Sequence, residues 1–234
     1  MRALPLSKII LPLAFAAMPV FGQLTQIPQP TTAYKSATTL IPITVPDGTT
    51  LTSVSNGGQT ITFGSVVPST GVFAAHTVPS GGWATWGAPP ATESSTPRVV
   101  ATVNPVTSVT LNLAIPSQTF GVEVEPDDFA VFTISAAFYS GGTLLGTVSQ
   151  AVNGSAGALL AGGSSAFPIT SVVITAPASA GGFAMAQFRY GGAVPGVAIP
   201  TLRTTAMLGL GCLLAAAGAL LAQAQKRRGA VRPY

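Results

Sequence analysis

Residues 108–125 read SVTLNLAIPSQTFGVEVE, and this stretch decides the fold. Apolar side chains occupy alternate positions in two runs, namely Val109, Leu111, Leu113 and Ile115, then Phe120, Val122 and Val124. Small or polar residues fill the positions between them. A period of two is typical of a β-strand that buries one face and exposes the other. The stretch therefore predicts half-buried β-strands rather than a helix.

The same alternation continues outward along the chain in both directions. Further strand candidates are Leu40–Val45, Gln59–Val66, Val72–Thr77, Arg98–Val103, Phe132–Phe138, Thr143–Val152, Ser171–Thr175 and Phe183–Tyr190. Turn sequences such as Asp47-Gly48 and Gly141-Gly142 separate them. Many short strands divided by turns predict an all-β fold, which we interpret as a single β-sandwich of jelly-roll or immunoglobulin-like type over residues 38–192.

The chain begins like a secretory signal peptide. Arg2 and Lys8 give a positive start and precede the apolar run Ile9–Phe21. Small residues then favour cleavage before Gln23, so residues 1–22 predict a signal helix that is removed on export. An uncleaved membrane anchor is the alternative interpretation.

Two segments that flank the predicted domain lack the alternation. Residues 23–37 predict a flexible lead-in, and residues 193–198 predict a linker.

An uncharged apolar run of residues 206–222 follows near the C-terminus. A helix of this run is roughly 26 Å long, which is near the lower limit for crossing a hydrocarbon core. Lys226, Arg227 and Arg228 come directly after it, and such flanking cations stay on the cytoplasmic side. The run therefore predicts a transmembrane helix with residues 229–234 as a cytoplasmic tail. A buried helix of a globular domain is the alternative, but it would normally carry a polar face.

The order of this tail resembles the IPTL-CTERM sorting signal of Gram-negative bacteria, a relative of the PEP-CTERM signal. The signature residues are Ile199, Pro200, Thr201 and Leu202, and the basic end is Lys226, Arg227 and Arg228. The resemblance covers residues 199–228 and implies that an exosortase-type membrane enzyme processes the tail after secretion. Thr205 and Ala206 stand where the family usually has Trp-Gly, so we expect a mixture of processed and membrane-held protein.

Parts of the middle also resemble β-sandwich ectodomains that are common in PEP-CTERM-type surface proteins. The matching stretches are residues 120–126, 132–134 and 183–190. This resemblance implies an extracellular sandwich without a defined activity.

The charge of the exported part excludes one class of partner. Between Gln23 and Pro200 the cations are Lys35, Arg98 and Arg189, against all six acids of the chain. This mildly acidic segment lacks the basic face that nucleic-acid binding needs. The single cysteine, Cys212, lies in the apolar tail, so a packed core and not a disulfide must stabilise the domain.

Four of the six acids lie close together as Glu123, Glu125, Asp127 and Asp128. Glu123 and Glu125 share one face of a strand, and the two aspartates follow the Pro126 that ends it. Oxygen ligands this close suit Ca²⁺, which takes six to eight of them. The alternatives are a solvated strand edge whose charges deter edge pairing and, much more weakly, a glycosidase carboxylate pair.

Trp83 and Trp86 lie in the Gly- and Pro-rich stretch GGWATWGAPP. Exposed, coplanar indoles stack on sugar rings, so these residues are candidate glycan contacts. Buried indoles would instead plug a loop onto the core, which is the interpretation we favour.

Nucleophilic catalysis has little support in the sequence. His76 is the single histidine, and the exported segment has no cysteine. We therefore expect a non-enzymatic surface or matrix protein whose partners are the secretion machinery, the sorting enzyme and the membrane. The alternative is a carbohydrate-binding module of the envelope that contacts extracellular polysaccharide through Trp83 and Trp86.

Overall fold

The computed structural model describes residues 23–192, and more than half of these residues lie in antiparallel β-strands. The strands are β1 Leu24–Ile27, β2 Thr38–Ile41, β3 Thr50–Leu51, β4 Ser53–Ser55, β5 Thr60–Val67, β6 Phe73–Thr77, β7 Arg98–Thr102, β8 Ser108–Pro126, β9 Val131–Ser140, β10 Thr143–Asn153, β11 Leu159–Thr175 and β12 Phe183–Gly191. A short helix α1, Thr32–Ala37, and a 3₁₀ turn, Ala178–Ala180, complete them. The all-β prediction is confirmed.

Strands β8 and β11 are long, pair with each other, and each belong to two groups of strands. The first part of β8, residues 108–113, pairs with β5 and with the last part of β11. Residues 119–126 pair with β12 and with the first part of β11. The two runs of alternating residues in the sequence are therefore two parts of one strand.

An interruption of the hydrogen-bond ladder separates the two parts of β8. Pro116 lies within it and has no backbone N–H to donate, and the register with β11 shifts on both sides of Ser117. The buried side chain of Gln59 replaces the missing strand partner. Its Nε2 donates to the Ile115 carbonyl at 2.6 Å, and its Oε1 accepts from the Ile115 N–H at 2.9 Å.

The two parts of β8 belong to two groups of strands. The first strand group contains β4, β5, the first part of β8, the last part of β11, β9 and β10. The second strand group contains β3, β6, β7, β12, the second part of β8, the first part of β11 and β1, with β2 paired to the end of β12.

One hydrophobic core contains residues from both groups. Phe63 of β5 lies 5.3 Å from Phe73 of β6 and 6.2 Å from Phe188 of β12, measured between ring centroids. Val122 and Val124 of β8 belong to the same core. Burial of such side chains contributes about 1.5–3 kcal/mol each, which is the main stabilising term for a domain without disulfides.

The segment predicted as a flexible lead-in, residues 23–37, instead contains strand β1 and helix α1. Strand β1 pairs with β11 at residues 162–165. Helix α1 begins after Thr31, whose hydroxyl accepts a hydrogen bond from the Tyr34 N–H at 3.2 Å. Tyr34 is 1 % exposed. One buried tyrosine and a four-residue strand hold this segment on the domain, and neither gives a periodic signal.

Within residues 23–192, no helix has the length and apolar character needed to cross a membrane. The predicted signal peptide, linker, sorting signal, transmembrane helix and cytoplasmic tail lie outside the described residues.

Candidate functional site: two buried glutamates under a tryptophan loop

Glu123 and Glu125 lie on the face of β8 that points away from the main core. Both are 0 % exposed. Strand β8 has partners on both sides here, β11 and β12, so these residues are central and not at an edge. The alternative of a solvated strand edge is therefore wrong for this pair.

The connection from β6 to β7, residues 78–97, covers this face, and we call it the tryptophan loop. Trp83 and Trp86 are 6 % and 4 % exposed. They form a second hydrophobic cluster with small side chains of the sheet and its surroundings: Val78, Val99, Ala101, Ala158, Ala184 and Ala186. Small residues at these positions leave the volume that two large indole rings need.

The Glu125 carboxylate accepts hydrogen bonds at both oxygens. Trp83 Nε1 donates to Oε2 at 2.7 Å, and the Gly157 N–H donates to Oε1 at 3.2 Å. The Thr85 hydroxyl lies 3.5 Å from Oε1 but only 2.9 Å from the Gly154 carbonyl oxygen, so its proton goes to the carbonyl.

The Glu123 carboxylate binds the other end of the loop. Trp86 Nε1 donates to Oε2 at 3.1 Å, and the Glu93 N–H donates to Oε1 at 2.6 Å. Each glutamate thus accepts the indole N–H of one tryptophan, and the two carboxylates hold the loop at separate points.

A buried ion pair extends this network. Arg189 Nε lies 2.6 Å from Glu93 Oε1, and its second terminal nitrogen lies 2.9 Å from Glu93 Oε2, which is a bidentate contact. The side chains are 12 % and 8 % exposed. Arg189 also donates to the carbonyl oxygens of Lys35 at 3.3 Å and Thr38 at 3.1 Å, so it joins the loop to the end of α1.

A β-bulge places Arg189 on the correct face. On β12, Ala186 lies opposite Glu123 and Arg189 lies opposite Gly121, so β12 has one residue more than β8 between these pairs. Gln187 occupies the bulge with φ 52°, a left-handed conformation that is uncommon for residues other than glycine. If Gln187 were instead a regular strand position, the alternation would turn Arg189 into the apolar core.

Tyr34 of α1 packs against the same part of β8. Its ring lies over Gly121, and a Cβ atom at position 121 would collide with the tyrosine hydroxyl. Among the described residues this hydroxyl has no hydrogen-bond partner. Burial, together with the nearby Glu93 carboxylate, raises the pKa of Tyr34, so the phenol stays neutral.

Burial also controls the ionisation of the two glutamates. It raises the pKa of Glu123 from 4.5 to about 7, although the N–H groups of Trp86 and Glu93 favour the charged form. Burial raises the pKa of Glu125 as well, against the donors from Trp83 and Gly157. Desolvation therefore outweighs the hydrogen bonds in both cases. The arrangement is a structural clamp whose charge changes near neutral pH.

The four acids do not converge on one point. Asp127 and Asp128 are exposed beyond the end of β8, whereas Glu123 and Glu125 turn under the loop. Within residues 23–192, no three His, Cys, Asp or Glu side chains are grouped so that they could hold a metal ion. Calcium binding by this cluster stays a hypothesis for experiment, and so does the weaker glycosidase alternative.

The candidate glycan contacts lie inside the domain. Both indoles point their N–H groups inward to carboxylates, so the rings are a plug and not an exposed stacking platform. A pocket of about 110 Å³ beside the loop is lined by Trp83, Thr85, Asp127 and Phe129 among others. It is well below the roughly 300 Å³ at which small-molecule sites begin.

The comparisons with known proteins add no family. No protein-family model matches this sequence, and no curated protein matches it significantly. The sorting-signal residues Ile199, Pro200, Thr201 and Leu202 lie outside the described residues, together with Lys226, Arg227 and Arg228.

Sequence reasoning found the glutamates and tryptophans but not their pairing. It also missed Glu93, Arg189 and Tyr34. One available signal was the Glu-x-Glu pattern inside a strand that is otherwise strongly apolar, because a carboxylate there needs a donor. Trp83 and Trp86 are the two residues of the chain that can donate an indole N–H to such a carboxylate.

Proposed function

We propose that this chain is an exported, non-enzymatic protein of the cell surface or extracellular matrix. The observation that carries the proposal is the order of segments in the sequence. A signal-like segment, residues 1–22, precedes the domain, and a tail that resembles a sorting signal, residues 199–228, follows it. The secretion machinery and an exosortase-type enzyme are the partners that this order implies.

For the exposed domain we propose one β-sandwich, jelly-roll or immunoglobulin-like, in which the two strand groups are the layers. The contacts of Phe63 with Phe73 and Phe188 support two layers packed face to face. The interruption of the ladder around Pro116 supports a strand that passes from one layer to the other.

The clamp under the tryptophan loop supports a structural domain. Glu123 and Glu125 are the carboxylates with the strongest reason to be catalytic, since burial raises the pKa of each. Their oxygens are occupied by N–H donors of the loop and its neighbours, and both side chains are fully buried. A substrate would have to displace the loop to reach them.

Topology tests the proposal most directly. Alkaline phosphatase fused after Gly192 should be active, because the domain lies outside, and the same enzyme fused after Tyr234 should be inactive. Activity of the Tyr234 fusion, or inactivity of the Gly192 fusion, would refute the proposed topology. The variant matched to these fusions replaces Lys226, Arg227 and Arg228 with neutral residues. This change should weaken retention of the tail in the membrane.

Intact mass tests the processing of the tail. We expect a membrane-held form as the main species and a smaller, processed form beside it. The double change Thr205→Trp and Ala206→Gly should shift the mixture toward the smaller form in a host that has the sorting enzyme. A single full-tail species with and without the double change would make the tail a plain anchor.

A further inference from the structure

Strand β10 is a long open edge of the sheet. It pairs with β9 along its length, and among residues 23–192 no strand pairs with its other side. An edge of this kind presents a row of N–H and C=O groups that can pair with another strand.

The other edge strands of the described domain are short. β1 and β2 have 4 residues each, β4 has 3 and β3 has 2, whereas β10 has 11. Very short edge strands are one way in which proteins prevent unwanted pairing between sheets. β10 departs from that pattern in the same molecule.

β10 also lacks the chemical features that protect edges. No charged residue lies between Asp128 and Arg189, a stretch that contains all of β9, β10 and β11. β10 contains no proline. Its register shift lies at one end, between Leu144 and Gly146, and the ladder is regular from there to Asn153.

The core-facing side chains of the regular part of β10 pack against the rest of the domain. Val148 and Val152 are buried in the main core. The half-buried Gln150 donates from Nε2 to the Leu160 carbonyl at 2.6 Å, which ties the edge to β11. The outward positions Thr147, Ser149 and Ala151 are exposed and small. A rigid strand with small outward side chains allows a second strand to approach closely.

We propose that β10 pairs antiparallel with β10 of a second copy of this chain. A two-fold axis normal to the sheet sets inward residues opposite inward residues and outward opposite outward. Self-pairing brings no like charges together, because the strand has none. Main-chain hydrogen bonds then supply the affinity, as in other cases of strand addition. The proposal does not depend on where the chain is delivered.

The test uses the full chain, purified in detergent, in sedimentation velocity over a range of concentrations. Ser149→Lys and Ser149→Glu each place a charge at the centre of the proposed interface, opposite its counterpart or next to it. Thr133→Lys is the matched control, because Thr133 is exposed on β9, one strand away from the interface. In the proposed dimer the lysines at position 133 of the two copies lie farther apart than the screening length of about 8 Å, so they should not repel each other appreciably.

We expect wild type and the Thr133→Lys variant to dimerise equally. Each Ser149 variant alone should dissociate with a constant about tenfold higher, and an equimolar mixture of the Lys and Glu variants should restore dimerisation. A monomeric wild type overturns the proposal. So does a dimer that both Ser149 variants leave intact, or a mixture that fails to recover, since another surface or another partner strand would then be responsible.

Discussion

The region under the tryptophan loop and the region formed by residues 129–188 use charge in opposite ways. The first holds Glu93, Glu123, Glu125 and Arg189 in hydrogen bonds that fix one loop, and their side chains are mostly or fully buried. The second has no charged residue at all. The difference shows that these four charged residues fix one loop, whereas no charge protects the edge of the sheet at β10. A fully satisfied buried network specifies a unique arrangement, whereas an uncharged edge excludes little.

The network also connects distant parts of the chain. Arg189 joins α1 to the tryptophan loop, the loop joins β6 to β7, and the glutamates hold the loop on β8. Because these contacts share partners, breaking one member should cost more than an isolated pair would.

The largest effect is expected for Arg189→Met. Removing one partner of a buried ion pair leaves Glu93 without its counter-charge, which costs about 3–5 kcal/mol in the free energy of unfolding. Urea denaturation followed by tryptophan fluorescence measures this value, since both indoles of the chain lie in the loop.

Arg98→Met is the matched control for that change. Arg98 also pairs with one acid, Asp47 at 2.8 Å, but the two side chains are 33 % and 38 % exposed. An exposed pair contributes about 0–1 kcal/mol. Equal losses for the two variants would show that the network under the loop has no special importance.

A smaller effect, on the order of 3 kcal/mol, is expected from pH acting on Glu123. Its pKa is about 7 in the folded protein and 4.5 as the ordinary value. Between these values the folded state holds a proton that the unfolded state has lost. The free energy of unfolding should therefore fall as pH rises from 4.5 to 7, and Glu125 acts in the same direction.

Glu123→Gln separates this contribution from other titrations. The amide does not ionise, so the fall between pH 4.5 and 7 should become shallower than in wild type. The cause assigned to Glu123 is wrong if the Gln variant and wild type give parallel profiles.

Trp86→Phe should cost about 1–3 kcal/mol, because it removes the indole donor and leaves one Glu123 oxygen without a hydrogen bond. The loss should be larger at pH 8 than at pH 5, since the charged carboxylate needs the donor more. Trp83→Phe is the corresponding change at Glu125. A loss that does not vary with pH would attribute the effect to ring volume alone.

Much of the fold follows from the sequence, because alternation depends on local side-chain pattern. The alternation predicts the bounds of β5, β6, β7, β10 and β12 to within a few residues. The alternation does not predict the first part of β11, where Gly162 and Gly163 stand at positions that would otherwise carry larger side chains. A Cβ at Gly163 would lie 2.8 Å from the Leu24 side chain, so glycine there reflects the close approach of β1. That reason becomes visible only when the partner strand is known.

The candidate site was less predictable, because its burial is not local. The face shared by Glu123 and Glu125 follows from the strand period. Their burial depends on a loop whose contacting residues precede them by 30 to 42 residues in the chain. The position of Arg189 depends on one extra residue, Gln187, in a bulge that inverts the alternation. A strict period of two assigns Arg189 to the wrong face.

The smallest effect is expected from Ca²⁺, and it decides the remaining interpretation of the acidic cluster. Glu123 and Glu125 are occupied by N–H donors under the loop, so Asp127 and Asp128 are left to bind a cation. Two aspartates supply fewer oxygens than the six to eight that Ca²⁺ prefers. Millimolar Ca²⁺ should therefore leave the melting temperature of the wild type and of the Asp127→Asn, Asp128→Asn variant the same. A rise in wild type that the variant abolishes would instead establish a calcium site, because a ligand that binds only the folded state stabilises it by mass action. It would also show that the charges beyond the end of β8 bind a ligand, unlike those that hold the loop.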